Sequence, residues 1–207
     1  MMDKIARISE AEIKTRLKDQ KINNLYEITG DYSLPIDSKL LTPAAVLVPM
    51  LWEADGWHLL FTIRNTDLPE HSGQVSFPGG RADLQDKNVV DTALREASEE
   101  IGLNPLDVVV LGSLPEFHTI TNYKVTPVVG FIPTPYQFKI APDEVSRVFS
   151  IPLRWLADHH NYNIHYRELP DIPEPVSVIY FKEYDGEILW GVSARIVVSF
   201  ITHLSAV

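Results

Sequence analysis

The sequence predicts a mixed α/β protein, a single sheet with helices packed against it. Three observations carry this reading. Residues 44–52 and 57–64 are strand-like apolar runs joined by Glu53-Ala54-Asp55-Gly56, a short turn with the glycine that hairpins favour. Val90, Ala93, Leu94, Ala97 and Ile101 recur at helical spacing and stop at Gly102, where a helix would end. Finally, strands and helices interleave without the regular alternation of a doubly wound parallel sheet, which points to a mixed sheet.

The remaining elements follow in order. Ser9-Glu10-Ala11-Glu12 has the form of a capping box, in which hydroxyl and carboxylate satisfy each other's backbone amides, and Ile13 and Leu17 follow at helical spacing. Residues 29–43 lack a sustained period and contain Gly30, Pro35 and Pro43, an irregular connection. Residues 1–43 therefore read as an N-terminal helix and lead-in packed on a main domain of residues 44–207. Residues 73–80 read as a strand ending in a Gly79-Gly80 turn. Residues 108–114, 125–131 and 176–184 read as further strands, with 187–190 continuing beyond Asp185-Gly186. Residues 193–204 form the expected closing helix.

Bulk properties narrow the function. A chain of 207 residues with 45% hydrophobic composition supports one well-buried core. Its net charge of -10 repels polyanions at long range, so nucleic acid is not an expected partner. A small phosphorylated substrate stays compatible if arginines and a cation reverse the sign inside one pocket. With no cysteine, any metal must be held by oxygen or imidazole, and hard cations are the natural choice. The first residues lack an apolar signal core, and no stretch approaches the ~20 apolar residues of a membrane span. The expected setting is cytoplasmic, away from membranes.

The helix over residues 90–101 carries the chemistry. At roughly 100° per residue, Glu96, Glu99 and Glu100 share an arc beside the apolar one, so one face packs and the adjacent face is carboxylate, with Glu100 read as an exposed ligand. Like charges at this spacing cost a few tenths of a kcal/mol per pair, and they crowd toward the helix end where the dipole disfavours anions. Bound Mg²⁺ or Mn²⁺ would compensate, bridging carboxylates to substrate phosphates. Just upstream, Gly79-Gly80 permits close approach of a phosphate to the backbone. Glu96 and Glu100, one turn apart, are the first choice for metal ligands. Glu99 is either a third ligand or the base that activates water.

At these positions the sequence resembles the Nudix hydrolase family. Gly80, Arg95, Glu96, Glu99, Glu100, Gly102 and Leu103 take the places of the Nudix box, with Ala97 at an aliphatic position. Asp86 stands at the first acidic position, where the family has glutamate, with eight residues instead of seven before Arg95; no role was expected of it. Leu59 to Arg64, followed by Gly73-x-x-x-Phe77-Pro78-Gly79-Gly80, is similar to the coenzyme A diphosphatase branch, although Pro69 stands where that branch usually has arginine. Weaker similarity extends through residues 121–130 and through Trp190-Gly191-x-x-x-Arg195.

The resemblance implies an α/β/α sandwich and cleavage of coenzyme A to 4'-phosphopantetheine and adenosine 3',5'-bisphosphate. ADP-ribose or a dinucleotide is the alternative nucleotide diphosphate, and a non-catalytic ligand-binding module is the rival class. Arg95 is expected to orient a glutamate through a bidentate pair. Glu144 is a further candidate for metal ligand or base beside Glu96 and Glu99. Arg64, His71 and Arg81, with the Gly79-Gly80 backbone, are candidates for substrate binding; His118, Tyr123 and Arg195 are weaker ones. A homodimer is compatible with this reading.

Overall fold

The computed structural model describes residues 5, 8–18, 41–67, 72–168 and 175–205. The chain runs α1 (Glu10–Lys18), β1 (Thr42–Glu53), β2 (Gly56–Arg64), β3 (Val75–Ser76), β4 (Gly79–Arg81), α2 (Val89–Ile101), β5 (Val109–Ser113) and β6 (Phe117–His118). It continues through β7 (Tyr123–Ile132), β8 (Val145–Pro152), α3 (Leu153–Leu156), β9 (Tyr162–Arg167), β10 (Val176–Phe181) and α4 (Gly191–Ser205).

Strand β1 organises the main sheet. One edge pairs in parallel with β7 from Thr42↔Tyr123 to Leu51↔Ile132. The other edge is shared: residues 50–53 pair antiparallel with β2, and Ala44, Ala45 and Val46 pair with Arg81, Gly80 and Gly79 of β4. The resulting order is β3-β2-β1-β7-β5, with β8 on β2 and β6 on β7. Parallel and antiparallel pairs coexist, as the irregular alternation of elements predicts.

Side chains alternate across this sheet with the period of two that a strand imposes. Leu47, Leu60 and Val128 face α2, where Ala93, Ala97 and Ile101 are buried with them. Val48, Leu59, Phe61 and Val129 face the opposite layer, packing with Ile13 of α1 and with Ile196, Val197 and Phe200 of α4. The protein is an α/β/α sandwich with a helix at its N-terminal side. The capping box forms as expected: Ser9 N donates to the Glu12 carboxylate at 3.1 Å and Glu12 N to Ser9 Oγ at 3.3 Å.

Several boundaries differ from expectation. β1 starts at Thr42, within the predicted lead-in, because Thr42 and Pro43 already pair with Tyr123 and Lys124 of β7. The rest of that lead-in, residues 29–40, lies outside the described residues. β10 ends at Phe181, and residues 187–190 make only the isolated bridges Tyr184↔Glu187 and Tyr180↔Trp190, since Asp185 at φ 55° turns the chain. Strands β8 and β9 were not anticipated; β9 is exposed over nearly its whole length and so lacks an apolar period. Among the described residues, no helix is long and apolar enough to cross a membrane.

Helix α2 has a defined start and stop. Asn88 caps its N-terminus, accepting from Val90 N at 2.9 Å and Asp91 N at 3.1 Å. Gly102 closes it in the left-handed conformation at φ 64°, and a Cβ there would lie 2.8 Å from the carbonyl oxygen of Lys139. Gly102→Ala is therefore expected to cost about 1–3 kcal/mol, from left-handed strain plus the clash. Unchanged stability in chemical denaturation would refute this account of how α2 ends.

Candidate functional site

Two adjacent features of β1 build the site. Leu47 N donates to Pro78 O at 2.8 Å, which lays the Phe77-Pro78-Gly79-Gly80 segment along the strand, and the 44–46 edge then takes β4. Helix α2 crosses the same region, since Ala93, Ala97 and Ile101 pack on Ala45 and Leu47. Strand and helix meet so closely that a Cβ on Gly80 would lie 2.4 Å from Glu96 Oε2, and one on Gly79 would lie 2.4 Å from Ala45 O. Gly79 is required here because a side chain would meet the β1 backbone, and one on Gly80 would have to push the Glu96 carboxylate aside.

Arg95 ties the acidic groups together. Its Nε and Nη2 donate to the two oxygens of Asp86, each at 3.0 Å. Nη1 donates to Glu96 Oε1 at 2.9 Å and to Glu99 Oε2 at 3.0 Å, and Nη2 also reaches Arg81 O at 2.9 Å. The fork thus joins the loop before α2, two of its glutamates and strand β4. Asp86, for which no role was expected, supplies the bidentate anchor; the Arg95 guanidinium holds its carboxyl well below the usual carboxylate range. The bidentate pair expected with a glutamate is made with Asp86 instead, and Glu96 and Glu99 each take a single bond.

The three glutamates occupy different environments. Glu99 is the exposed one, Glu96 is partly buried, and Glu100 is buried with 4% exposure. The expectation of an exposed Glu100 is thus corrected: α2 is rotated so that this side chain turns toward β4 beneath Gly79. There it takes a hydrogen bond from the Gly79 backbone, while its Oε2 is buried without a hydrogen-bond partner. Burial first, then the neighbouring Glu96 charge, pushes the Glu100 carboxyl up to about 8, against the opposing pull of Arg64. Burial also raises Glu96, with Glu99 and Glu144 adding to the effect while Arg95 opposes it.

The other predicted residues divide. Glu144 is brought to the acidic cluster: the loop before β8 is tied to α2 by Ala141 N to Glu100 O at 2.8 Å and to the end of β2 by Asn65 N to Glu144 O at 2.8 Å. Arg64 also reaches the cluster, acting on Glu100, and its Nε is buried without a hydrogen-bond partner. Arg81 is exposed; its Nε donates to Tyr123 Oη at 2.6 Å and its guanidinium lies over that ring. Tyr123 thus positions Arg81 at the rim. His118 lies on β6, and Arg195 is buried on α4 in the opposite layer, over the Phe117 ring. His71 lies outside the described residues, as does Pro69. A cavity of about 500 Å³ bordered by Trp52, Trp57 and Phe131 lies at the other end of β1, away from Gly79-Gly80.

Such an arrangement is under electrostatic strain that a bound cation relieves. A buried carboxyl with an orphaned oxygen, flanked by two more glutamates and by Glu144, fits a hard divalent ion. Without metal the sign is definite. A carboxyl raised from its unfolded value to about 8 favours the folded state below about pH 4.5, and that contribution is lost as pH rises toward 8. Glu100→Gln removes the buried charge, so in excess chelator near pH 8 it is expected to be more stable than the wild type by about 1–3 kcal/mol, with the gain vanishing near pH 5. Thermal melts at the two pH values check this; a destabilised variant at pH 8 would contradict it.

The chain matches the family model described as the NUDIX domain over residues 41–172. It is 38% identical over 163 residues to a protein of Pectobacterium atrosepticum named uncharacterized Nudix hydrolase NudL, covering 78% of this chain and 82% of the relative. A protein of the same name from Escherichia coli is 39% identical over 157 residues, covering 74% of this chain and 78% of the relative. Among solved structures, the Nudix hydrolase RenU from M. Smegmatis is similar at 20% identity and a TM-score of 0.48, covering 56% of this chain and 74% of that one. With the matched domain spanning most of the chain and containing the glycine pair, the arginine clamp and all three helical glutamates, this protein belongs to the Nudix hydrolase family.

Proposed function

We propose that this chain hydrolyses the diphosphate bond of coenzyme A or acyl-coenzyme A, releasing 4'-phosphopantetheine, or its acylated form, and adenosine 3',5'-bisphosphate. The observation that carries the hydrolytic part is Glu100, a buried carboxylate with an orphaned oxygen set beneath Gly79 and Gly80, which lie in strand β4 where a turn was expected. Preference for coenzyme A is supported by the similarity of residues 59–80 to the branch that cleaves it. ADP-ribose and dinucleotides are the competing substrates. The proposed catalytic unit is residues 44–207 with residues 1–43 as its lead-in, in a cytoplasmic setting, acting on a small nucleotide diphosphate.

In this proposal Glu96 and Glu100 hold Mg²⁺ or Mn²⁺, with Glu99 as a third ligand or as base. The bound cation supplies positive charge that acidifies water and neutralises the diphosphate. Glu99 or Glu144 takes the proton from the attacking water as its oxygen bonds to phosphorus and the phosphoanhydride P–O bond breaks. Arg95 holds Glu96 and Glu99 in fixed rotamers through the contacts already described. The Gly79-Gly80 backbone approaches the phosphates, and Arg64, His71 and Arg81 supply basic contacts around them.

Turnover is expected to vanish in excess chelator and to return with Mg²⁺ or Mn²⁺. Under matched metal conditions, coenzyme A should show kcat/KM at least ~10-fold above dephospho-coenzyme A and ADP-ribose, about 1.4 kcal/mol of discrimination. A mass-resolved product assay over these three compounds tests both points. Superior turnover of ADP-ribose would overturn the coenzyme A assignment, and turnover of none would favour a ligand-binding module. Glu100→Gln should lose at least ~10²-fold in kcat despite its added stability in chelator. A near wild-type rate would move the metal to other carboxylates.

A further inference from the structure

We propose that Asp158, His159 and His160 form a second, chemically distinct metal site that takes a divalent transition ion of the zinc, nickel or copper type. Among the described residues, these three bring ligand atoms within 4.8 Å of one another. Asp158 Oδ1 is the hub: His160 Nδ1 lies 2.9 Å from it and His159 Nδ1 4.0 Å. The imidazole rings are tilted by 39° with centroids 3.9 Å apart, and both side chains are about three-quarters exposed. An incoming ion therefore meets two nitrogens and one oxygen without displacing any packing, replacing the His160 Nδ1···Asp158 Oδ1 hydrogen bond.

The backbone holds this group in place. Asp158 Oδ1 accepts from His160 N at 3.0 Å and Asp158 O from Asn161 N at 2.9 Å, closing a tight turn. Asn161 anchors that turn at both ends, donating from Nδ2 to Trp155 O at 3.0 Å and accepting from Lys182 N at 2.7 Å. Zinc at ~2.1 Å from each donor keeps the donors ~3.4 Å apart, so His159 Nδ1 moves in from 4.0 Å and His160 Nδ1 moves out from 2.9 Å of Asp158 Oδ1, shifts that exposed imidazoles reach by side-chain rotation. Two imidazoles with a carboxylate select borderline ions over Mg²⁺, whereas the all-carboxylate cluster on α2 prefers hard ones. The net charge of -10 attracts cations to either.

The two sites are separated in space. β8 begins with Val145 beside Arg64 at the acidic cluster and ends with Pro152 beside His58, and the histidine turn follows α3 beyond that end. Eight residues of strand span ~25 Å. Occupancy of the histidine turn is therefore independent of the hydrolytic reading above.

The test is a Zn²⁺ titration by calorimetry on the untagged full chain in saturating Mg²⁺, which keeps the α2 carboxylates occupied. One equivalent should bind to the wild type. Combined His159→Ala and His160→Ala should weaken binding at least ~10-fold while leaving Mg²⁺-dependent turnover unchanged, because the exposed rings carry no core and the Asp158 cap remains. Electron paramagnetic resonance of the Cu²⁺-loaded wild type should show coupling to two imidazole nitrogens that the double variant lacks. An isotherm identical in both proteins, or no saturable Zn²⁺ binding below about 1 mM, overturns the proposal.

Discussion

The contact on which the site depends is the four-way grip of Arg95. One guanidinium binds Asp86, Glu96, Glu99 and the carbonyl of Arg81, and so ties the loop before α2 to a helix and a strand that both rest on β1. Without it, three anions in adjoining positions would repel the loop from the helix and Glu96 from Glu99. Gly80 provides the complementary constraint, since it lets β4 lie against the Glu96 carboxylate. Attraction and close approach together make an acidic pocket possible in a protein that is already negatively charged.

Much of this was legible in the sequence because it rests on local rules. Apolar residues 90–101 fixed the packed arc of α2, Gly102 its end, and Ser9 and Glu12 the start of α1; each depends on neighbours within one or two turns. The glycine pair and the glutamates were recognisable because their types and spacing are chemically restrictive. Glu100 was misjudged for a different reason. Helical angles give its position relative to Glu96, but only tertiary packing determines which edge of the carboxylate arc lies under β4.

Asp86 was missed on similar grounds. Its extra residue of spacing from Arg95 looked like a departure from pattern, yet a loop before a helix absorbs one residue easily, and the bidentate fork recovers the geometry. Strand β9 left no apolar alternation to read because all but Tyr162 of its residues are exposed; its pairing to β10 is set by backbone hydrogen bonds along the ribbon, joined by ring contacts of Tyr162, His165 and Arg167. The sequence is most informative where burial is one-sided, and least where a strand buries little on either face.

The parallel pairing of β1 with β7 bears on how the molecule comes to exist. Ala44 meets Val125 about 80 residues later, and Gly79-Gly80, Asp86, Arg95 and the three helical glutamates lie inside that loop, whereas Glu144 follows it. Closing it is costly in chain entropy before the sheet repays it, so this topology belongs to the slow-folding class in which distant strands must find each other first. A nascent chain that has exposed β4 and α2 already holds β1, their common support, but the loop carrying Glu144 comes only after β7. The acidic pocket is thus a late product of synthesis, incomplete until residue 144 has left the ribosome.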